Sequence, residues 1–276
     1  MTTIDAEFGT EAVLERRGAP LHHWLTGDPE APLVVLIHGA GIDHRMWAPQ
    51  IGPFSERFRV MTLDLRGHGR SRPAGEYSFG ALVDDCFALL DLAQVESAVV
   101  MGLSMGGNVA QEMVFRSPDR VRAMVAMDCT CNTLVSALDR ALVPAYRAMF
   151  GPMVQAYPMK PFLTSIGTRS AVTPEAQRYI TDASAQLSKR ELITVMKTLL
   201  ATLHDEPGYH VPVPQLLMHG EHDKLGNIKK VMPLWAARDE GAELVVVPDA
   251  GHCANLDNVE VVNATVLGWL DRVLQG

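Results

Sequence analysis

Residues 97–106 read Ser-Ala-Val-Val-Met-Gly-Leu-Ser-Met-Gly, a short apolar run that leads directly into a G-x-S-x-G pattern centred on Ser104. A helical pattern follows, with one apolar stripe formed by Val109, Ala110, Met113 and Val114. A strand, a sharp turn and a helix in this order form the context that the pattern requires, and the glycines give the turn its space. The stretch therefore predicts a nucleophilic serine at position 104, whereas a serine in an ordinary glycine-rich turn is the alternative.

Similar apolar runs lie on both sides of this stretch, at residues 33–38, 59–64, 121–128, 213–219 and 243–247. Amphipathic helical segments separate them, including one that Ser78 can cap and a last one from about Asn258 to Leu274. Continuous apolar strands that alternate with helices indicate a parallel sheet that is covered on both faces. The sequence therefore predicts an α/β fold with a mostly parallel sheet.

One gap in this alternation is too long for a simple connection between neighbouring strands. The runs that end at Asp128 and begin at Val213 lie 85 positions apart, whereas a whole βαβ unit needs roughly 30 residues. The intervening residues carry helical patterns, so they are not a structureless loop. We expect a core domain of residues 1–132 and 208–276, with a helical cap of residues 133–207 inserted before the strand that starts near Val213.

The hydroxyl of a serine is a weak nucleophile and needs a neighbouring base. His252 follows the run at 243–247 and precedes the last helix, which places it at the sheet edge where Ser104 also lies. Asp223 follows the run at 213–219 at the same edge, and its carboxylate can orient the imidazole. Asp128, which ends an earlier strand at this edge, and Glu221 are competing carboxylates, so the sequence leaves open whether Asp128 takes the place of Asp223.

An ester attacked by such a serine develops an oxyanion that needs two N–H donors. Met105, the residue after the nucleophile, can supply one of them. Ala40, in the small-residue loop His38-Gly-Ala-Gly41, is our candidate for the second donor, and we interpret His38 as a brace for that loop. This chemistry needs neither a metal nor a cofactor, and the four cysteines match no zinc-binding spacing.

The 276-residue chain has a net charge of −8 and contains no run of basic residues, which gives nucleic acid or an anionic membrane no electrostatic support as a partner. No apolar run reaches the length of a membrane-spanning helix, and acidic residues stand where a signal peptide needs basic ones. The cysteines form no disulfide framework. We therefore expect a reduced, cytoplasmic protein whose partner is a small molecule, and whether it forms a homo-oligomer stays open.

The sequence resembles the α/β-hydrolase superfamily over about residues 10–275. The motifs that carry the resemblance occur in the expected order: His38-Gly-Ala-Gly41, Asp64-Leu-Arg-Gly-His-Gly-Arg-Ser71, Gly102-Leu-Ser-Met-Gly-Gly107, Gly220-Glu-His-Asp223 and Ala250-Gly-His252. The segment Ile42-Asp-His-Arg-Met-Trp47 and the serine elbow are most similar to the bacterial esterase and lactonase branch that includes 3-oxoadipate enol-lactonases. The resemblance implies about eight strands, the triad Ser104, Asp223 and His252, and a carboxylesterase or lactonase that forms a Ser104 acyl-enzyme on an ester or lactone.

Other activities of this fold compete with the leading hypothesis. A C–C bond hydrolase would use the same triad, and a perhydrolase or a ligand receptor is less favoured. The predicted cap is rich in methionine and aromatic residues, which either contact an apolar substrate or pack the cap onto the core: Tyr146, Met149, Phe150, Met153, Tyr157, Met159 and Phe162. Five cap cations either bind a substrate carboxylate or are simply solvated: Arg140, Arg147, Lys160, Arg169 and Arg178.

Overall fold

The computed structural model describes residues 6–133, 137–204, 206 and 208–275. The strands of these residues are β1 (Thr10–Arg16), β2 (Ala19–Thr26), β3 (Leu33–Ile37), β4 (Arg59–Leu63), β5 (Ala98–Leu103), β6 (Val121–Met127), β7 (Gln215–Gly220) and β8 (Glu243–Val247). They form an eight-stranded sheet in the order β1-β2-β4-β3-β5-β6-β7-β8. β2 pairs antiparallel with β1 and β4, whereas the other neighbouring strands are parallel. The predicted α/β fold with a mostly parallel sheet is therefore confirmed.

Helices cover both faces of the sheet: α1 (Ala48–Ser55), α2 (Phe79–Leu92), α3 (Met105–Arg116), α4 (Ala137–Ala156), α5 (Met159–Ser170), α6 (Pro174–Ser184), α7 (Lys189–Leu199), α8 (Ile228–Arg238), α9 (Ala254–Asp257) and α10 (Val259–Gln275). In β3, Leu33, Val35 and Ile37 share an apolar core with α2, α3 and α8. Val34 and Leu36 share a second core with α1 and α10. Because each face of the strand is buried, the central strands have no alternating polar positions in the sequence.

The helices α4 to α7 lie between β6 and β7, in the segment that the long strand spacing singled out. α5 packs against α6, and α4 packs against α7. Leu192 and Val195 of α7 join the core on the α2 and α3 side, so these inserted helices rest on the main body. The division into a core of residues 1–132 and 208–276 and a cap of residues 133–207 stays a prediction.

The element boundaries follow local chemistry. α2 begins after Ser78, whose hydroxyl accepts a hydrogen bond from the backbone N–H of Ala81 at 3.1 Å, as the sequence predicted. β7 begins at Gln215 rather than Val213, because Pro214 has no N–H to donate to the ladder. The carboxyl ends of the parallel strands β3, β5, β6, β7 and β8 meet at one edge of the sheet, and the loops that follow them form the candidate site.

Candidate active site

The turn between β5 and α3 holds Ser104 in a strained backbone conformation. Its φ of 52° and ψ of −119° lie in a region that non-glycine residues rarely adopt. The N–H of Ser104 donates to the carbonyl of Met127 at 2.9 Å, and the carbonyl of Ser104 accepts the N–H of Asn108 at 3.0 Å. These bonds fix the serine at the N-terminus of a helix, where the helix dipole favours negative charge.

The glycines on both sides of Ser104 are necessary because other backbone segments lie too close to leave space for a side chain. A Cβ atom at Gly102 would overlap the backbone of Gly106, and one at Gly106 would overlap the carbonyl oxygen of Ile37. The start of α3 therefore lies directly against the end of β3, which brings the loop after β3 beside the serine. In that loop, a Cβ at Gly39 would come within 3.4 Å of the Ser104 Cβ.

His252 and Asp223 meet across the ends of β7 and β8. The Nδ1 atom of His252 lies 3.1 Å from Oδ2 of Asp223, and both side chains are buried. The second oxygen of Asp223 accepts the backbone N–H of Leu225 at 2.8 Å. With an ionised carboxylate at Nδ1, this nitrogen carries the proton and Nε2 is left as the basic nitrogen of the ring.

The loop of His252 is tied to the inserted helices on both sides. The N–H of Cys253 donates to the carbonyl of Ser170 at 2.8 Å. The carboxylate of Asp257 accepts N–H bonds at 2.9 Å from both Gly251 and Thr173. The histidine is thus held between the sheet and the segment before α6, a pair of contacts that sequence spacing does not indicate.

Three carboxylates are candidates for the residue that orients His252, and they lie in different surroundings. Glu221 is half exposed and accepts the N–H of Asp249 at 3.3 Å, away from the imidazole. Asp128 is fully buried directly after β6, where its Oδ1 accepts the N–H of Gly220 at 2.8 Å and its Oδ2 that of Ala254 at 3.4 Å. Asp223 is the carboxylate in hydrogen-bond contact with Nδ1 of His252. The geometry therefore favours Asp223 as the residue that orients the histidine.

Met105 and Ala40 belong to the two segments that meet at Ser104. Met105 is the first residue of α3, so its N–H has no acceptor within the helix. Ala40 lies in the loop after β3 that passes beside Ser104. His38 braces this loop, because its Nε2 accepts the N–H of Leu65 at 2.9 Å while burial lowers the pKa of the imidazole and keeps it neutral. The pair stays our prediction for the two oxyanion donors.

Ser104 and His252 line one cavity of about 400 Å³. The hydrogen bonds of the described residues include none between the Ser104 hydroxyl and His252, and such bonds often tighten only when a substrate is bound. The cavity wall is mainly apolar, with the following residues from the inserted segment: Val143, Met196, Leu199, Leu200 and Leu203. The core contributes Leu225 and Ile228 opposite them.

The methionine and aromatic residues, for which the sequence left substrate contact and packing as alternatives, do not form this wall. Tyr146, Met149, Met153 and Tyr157 are about half or more exposed, and the cavity wall contains none of the seven residues that the sequence singled out, all of them described. Four of the five cap cations are exposed: Arg147, Lys160, Arg169 and Arg178. The side chain of Arg140 lies outside the described residues. Within the described residues, no lysine or arginine lines the cavity.

A tyrosine of the inserted segment holds the loop that follows β3. The hydroxyl of Tyr179 in α6 donates to the carbonyl of Asp43 at 3.0 Å and lies 3.1 Å from its Oδ1. Gln186 donates to the other carboxylate oxygen at 3.1 Å. Burial opposes ionisation of Asp43, but the hydrogen bonds and the charge of Arg45 prevail and lower its pKa to about 2. Asp43 is therefore a fixed anion that links the inserted helices to the loop of Ala40.

We expect Tyr179→Phe to lower kcat for an ester substrate by roughly fivefold, the equivalent of about 1 kcal/mol for one hydrogen bond. The phenyl ring keeps the packing but no longer holds Asp43, so the candidate oxyanion loop loses rigidity. Steady-state kinetics measure the effect, with Tyr157→Phe as the control because that side chain is 51% exposed on the same segment. A higher KM with unchanged kcat would instead assign Tyr179 to substrate binding.

The fold and this site together define the class of protein. A mostly parallel sheet with a serine at a strand–turn–helix elbow, followed in chain order by a carboxylate and a histidine at the same edge, is typical of α/β hydrolases. The family model described as "Alpha/beta hydrolase family" matches residues 34–265 of the chain. The protein belongs to this family, and the resemblance inferred from its motifs is confirmed.

Individual relatives include esterases and lactonases. A carboxylesterase of Bacillus subtilis is 28% identical over 255 residues, which cover 90% of this chain and 83% of the relative. 3-oxoadipate enol-lactonase 1 of Acinetobacter baylyi is 34% identical over 105 residues, which cover 38% of this chain and 40% of that protein. Among solved structures, the enol-lactonase from Burkholderia xenovorans LB400 has a TM-score of 0.80 at 26% identity and covers 94% of this chain and 100% of that chain.

Two further observations concern the helices and the cysteines. No helix of the described residues is both long and apolar enough to cross a membrane. Cys86, Cys129, Cys131 and Cys253 are free and buried.

Proposed function

We propose that the protein is a serine hydrolase that cleaves a carboxylic ester or lactone through an acyl-enzyme on Ser104. The observation that carries the proposal is the contact of 3.1 Å between His252 Nδ1 and Asp223 Oδ2, on a histidine that lines the same cavity as Ser104. A serine at a strained elbow has no structural need of an oriented histidine, whereas a nucleophile does.

In the first half of the reaction, His252 removes the proton from the Ser104 hydroxyl as its oxygen attacks the carbonyl carbon. The imidazolium that forms is stabilised by the ionised carboxylate of Asp223. We assign the N–H groups of Met105 and Ala40 as the donors to the developing oxyanion. His252 then gives the proton to the leaving alkoxide, which departs as the alcohol and leaves the acyl group on Ser104.

In the second half, water replaces the alcohol. His252 takes a proton from the water, the hydroxide attacks the acyl carbon, and the proton passes to the Ser104 oxygen as the acid is released. With a lactone, the leaving alkoxide stays attached to the acyl group, so a single hydroxy acid is the product.

The cavity favours a substrate whose acyl part is apolar. The leucine-rich wall of α7 and the residues after it stabilise hydrocarbon groups by burial, at about 25 cal/mol per Å² of apolar surface. The names of the carboxylesterase and enol-lactonase relatives support an ester or lactone as the reacting group. We also propose the cytoplasm as the location of the enzyme, which the four free thiols favour.

The experiment follows the acyl-enzyme directly. We expect p-nitrophenyl butyrate to release about one equivalent of p-nitrophenol per chain in a rapid first phase wherever deacylation is slower than acylation. Intact mass after acid quenching should show one added butyryl group, located on the peptide that contains Ser104. An adduct on another peptide, with unchanged turnover, would refute the proposed nucleophile.

A substrate panel separates ester cleavage from its nearest alternative. Matched aliphatic lactones and p-nitrophenyl esters are compared with a vinylogous diketone, the type of substrate that a C–C bond hydrolase cleaves. We expect kcat/KM for esters or lactones to exceed that for the diketone by at least about 100-fold. The reverse order would assign the same triad to C–C bond hydrolysis.

A further inference from the structure

Asp128 is a buried carboxyl group that the proposed reaction leaves without a role. It follows β6 directly, is fully buried, and has a φ of 46° in the left-handed region. Its N–H donates to the carbonyl of Met218 at 2.8 Å. Its oxygens accept the N–H groups of Gly220 and Ala254 at 2.8 Å and 3.4 Å, which belong to the segments that carry Asp223 and His252. The side chain therefore bridges the strand end and both of the other loops.

Asp128 also lies close to the carboxylate that faces the histidine. One polar side-chain atom each of Asp128, Asp223 and His252 lies within 4.8 Å of the other two, so the two carboxyl groups are neighbours in a buried cluster. Two ionised carboxylates have no proton to share, so a hydrogen bond between them requires that one of the pair is protonated.

The surroundings indicate which of the two holds the proton. Asp223 faces the imidazole nitrogen that carries a proton, so a negative charge on Asp223 can orient and stabilise the ring. Burial, and next to it the negative charge of Asp223, raise the pKa of Asp128 well above its usual range. Besides His252, the titratable groups near Asp128 include the thiols of Cys129 and Cys253. Burial raises the pKa of both thiols, so both are neutral at pH 7.

We propose that Asp128 is a positioning residue, a neutral carboxylic acid that donates its O–H to the Asp223 carboxylate and so holds Asp223 against Nδ1 of His252. This inference rests on the proposed function, because it assigns a role within the same triad. The pair then carries one negative charge, which matches the single positive charge that His252 gains during the reaction. With both carboxylates ionised, two negative charges would face the single positive charge of that imidazolium.

The experiment compares two replacements of Asp128. In Asp128→Asn, the amide N–H₂ can donate to Asp223 while the amide oxygen accepts from Gly220. The variant loses the longer bond from Ala254 at 3.4 Å, and we expect kcat to stay within about threefold of the wild type. In Asp128→Gly, the carboxyl group is lost but the positive φ is tolerated. We expect that variant to lose about 10- to 100-fold in kcat, the effect of one hydrogen bond to a charged group, with KM within twofold.

The matched control is Asp249→Asn, because Asp249 also has a positive φ, of 54°, but is exposed. At alkaline pH, the wild type should lose activity as Asp128 ionises and stops donating, whereas Asp128→Asn has no proton to lose and should keep its rate. If Asp128→Asn is as inactive as Asp223→Asn, Asp128 is itself the acid of the triad and the inference is wrong. Full activity of a folded Asp128→Gly would also overturn it.

Infrared spectroscopy tests the protonated pair without any turnover. We expect the C=O stretch of a neutral carboxylic acid at pH 7, which disappears in Asp128→Asn and persists in Asp249→Asn. A spectrum without such a band would overturn the inference even if the glycine variant does not fold. Because the band does not depend on catalysis, failure of the Ser104 mechanism would show in the acyl-enzyme experiment and leave the band in place.

Discussion

Ser104→Ala should reduce kcat for p-nitrophenyl butyrate by at least about 10⁴-fold, while the fold and the cavity are unchanged. The alanine methyl group is unable to attack a carbonyl carbon, so the acyl-enzyme route is closed. Replacement of a hydroxyl by a hydrogen atom leaves the strained backbone at φ 52° and its bonds to Met127 and Asn108 in place. The residual rate should reflect the oxyanion donors and binding alone.

The measurement combines steady-state turnover with covalent labelling. Diethyl p-nitrophenyl phosphate should add one phosphoryl group per wild-type chain and none to Ser104→Ala. Ser117→Ala, at the other end of α3, is the control, since its side chain lies away from the cavity lining. Undiminished turnover in Ser104→Ala would remove this serine from the mechanism and with it the proposed function.

The fold could be predicted from the sequence because apolar runs and helical periods are visible in short stretches of residues. The run before Ser104 is apolar at every position since both faces of β5 are buried, and the residues that follow change to a helical period. The same reasoning applies to β3, whose five residues alternate between two cores. The start of β7 was misplaced by two residues, because an apolar valine before Pro214 looks like part of a strand in sequence.

The candidate site could be predicted only in part. The positions of Ser104, Asp223 and His252 follow from which residues end parallel strands. The choice between Asp223 and Asp128 does not, because both residues end strands at the same edge. It depends on the left-handed backbone of Asp128, which directs its carboxylate to the N–H of Gly220. The contact between Tyr179 and Asp43 joins residues 136 positions apart, and the sequence carries no signal for it.

The sequence left open which apolar residues of the inserted segment line the cavity, for a similar reason. α4 contains methionine and aromatic residues on a face that is about half exposed, and two prolines lie inside the helix. Composition alone does not reveal which side of such a helix faces the core. α7 has a clear amphipathic pattern, and its buried and cavity-facing leucines follow from that pattern once its neighbours are known.

Gly106→Ala should destabilise the protein by about 3 kcal/mol or more, because the added methyl group has no space to enter. A Cβ at this position would overlap the carbonyl oxygen of Ile37 and come within 2.8 Å of that of His38. Both are backbone atoms at the end of β3, so neither can move as a flexible side chain would. The helix would have to shift away from the strand, and Ser104 would move relative to the loop of Ala40.

Gly268→Ala is the matched control, since Gly268 lies inside α10 and a Cβ there would meet no atom within 4 Å. That variant should gain about 0.5–1 kcal/mol from the higher helix propensity of alanine. Thermal and urea unfolding of both variants measure the free energies, and turnover at a temperature where each is folded measures the site. A Gly106→Ala variant as stable as the wild type would mean that β3 and α3 can separate. In that case the close approach would not be what holds the elbow, and the oxyanion loop would have to be positioned by the inserted helices through Asp43 instead.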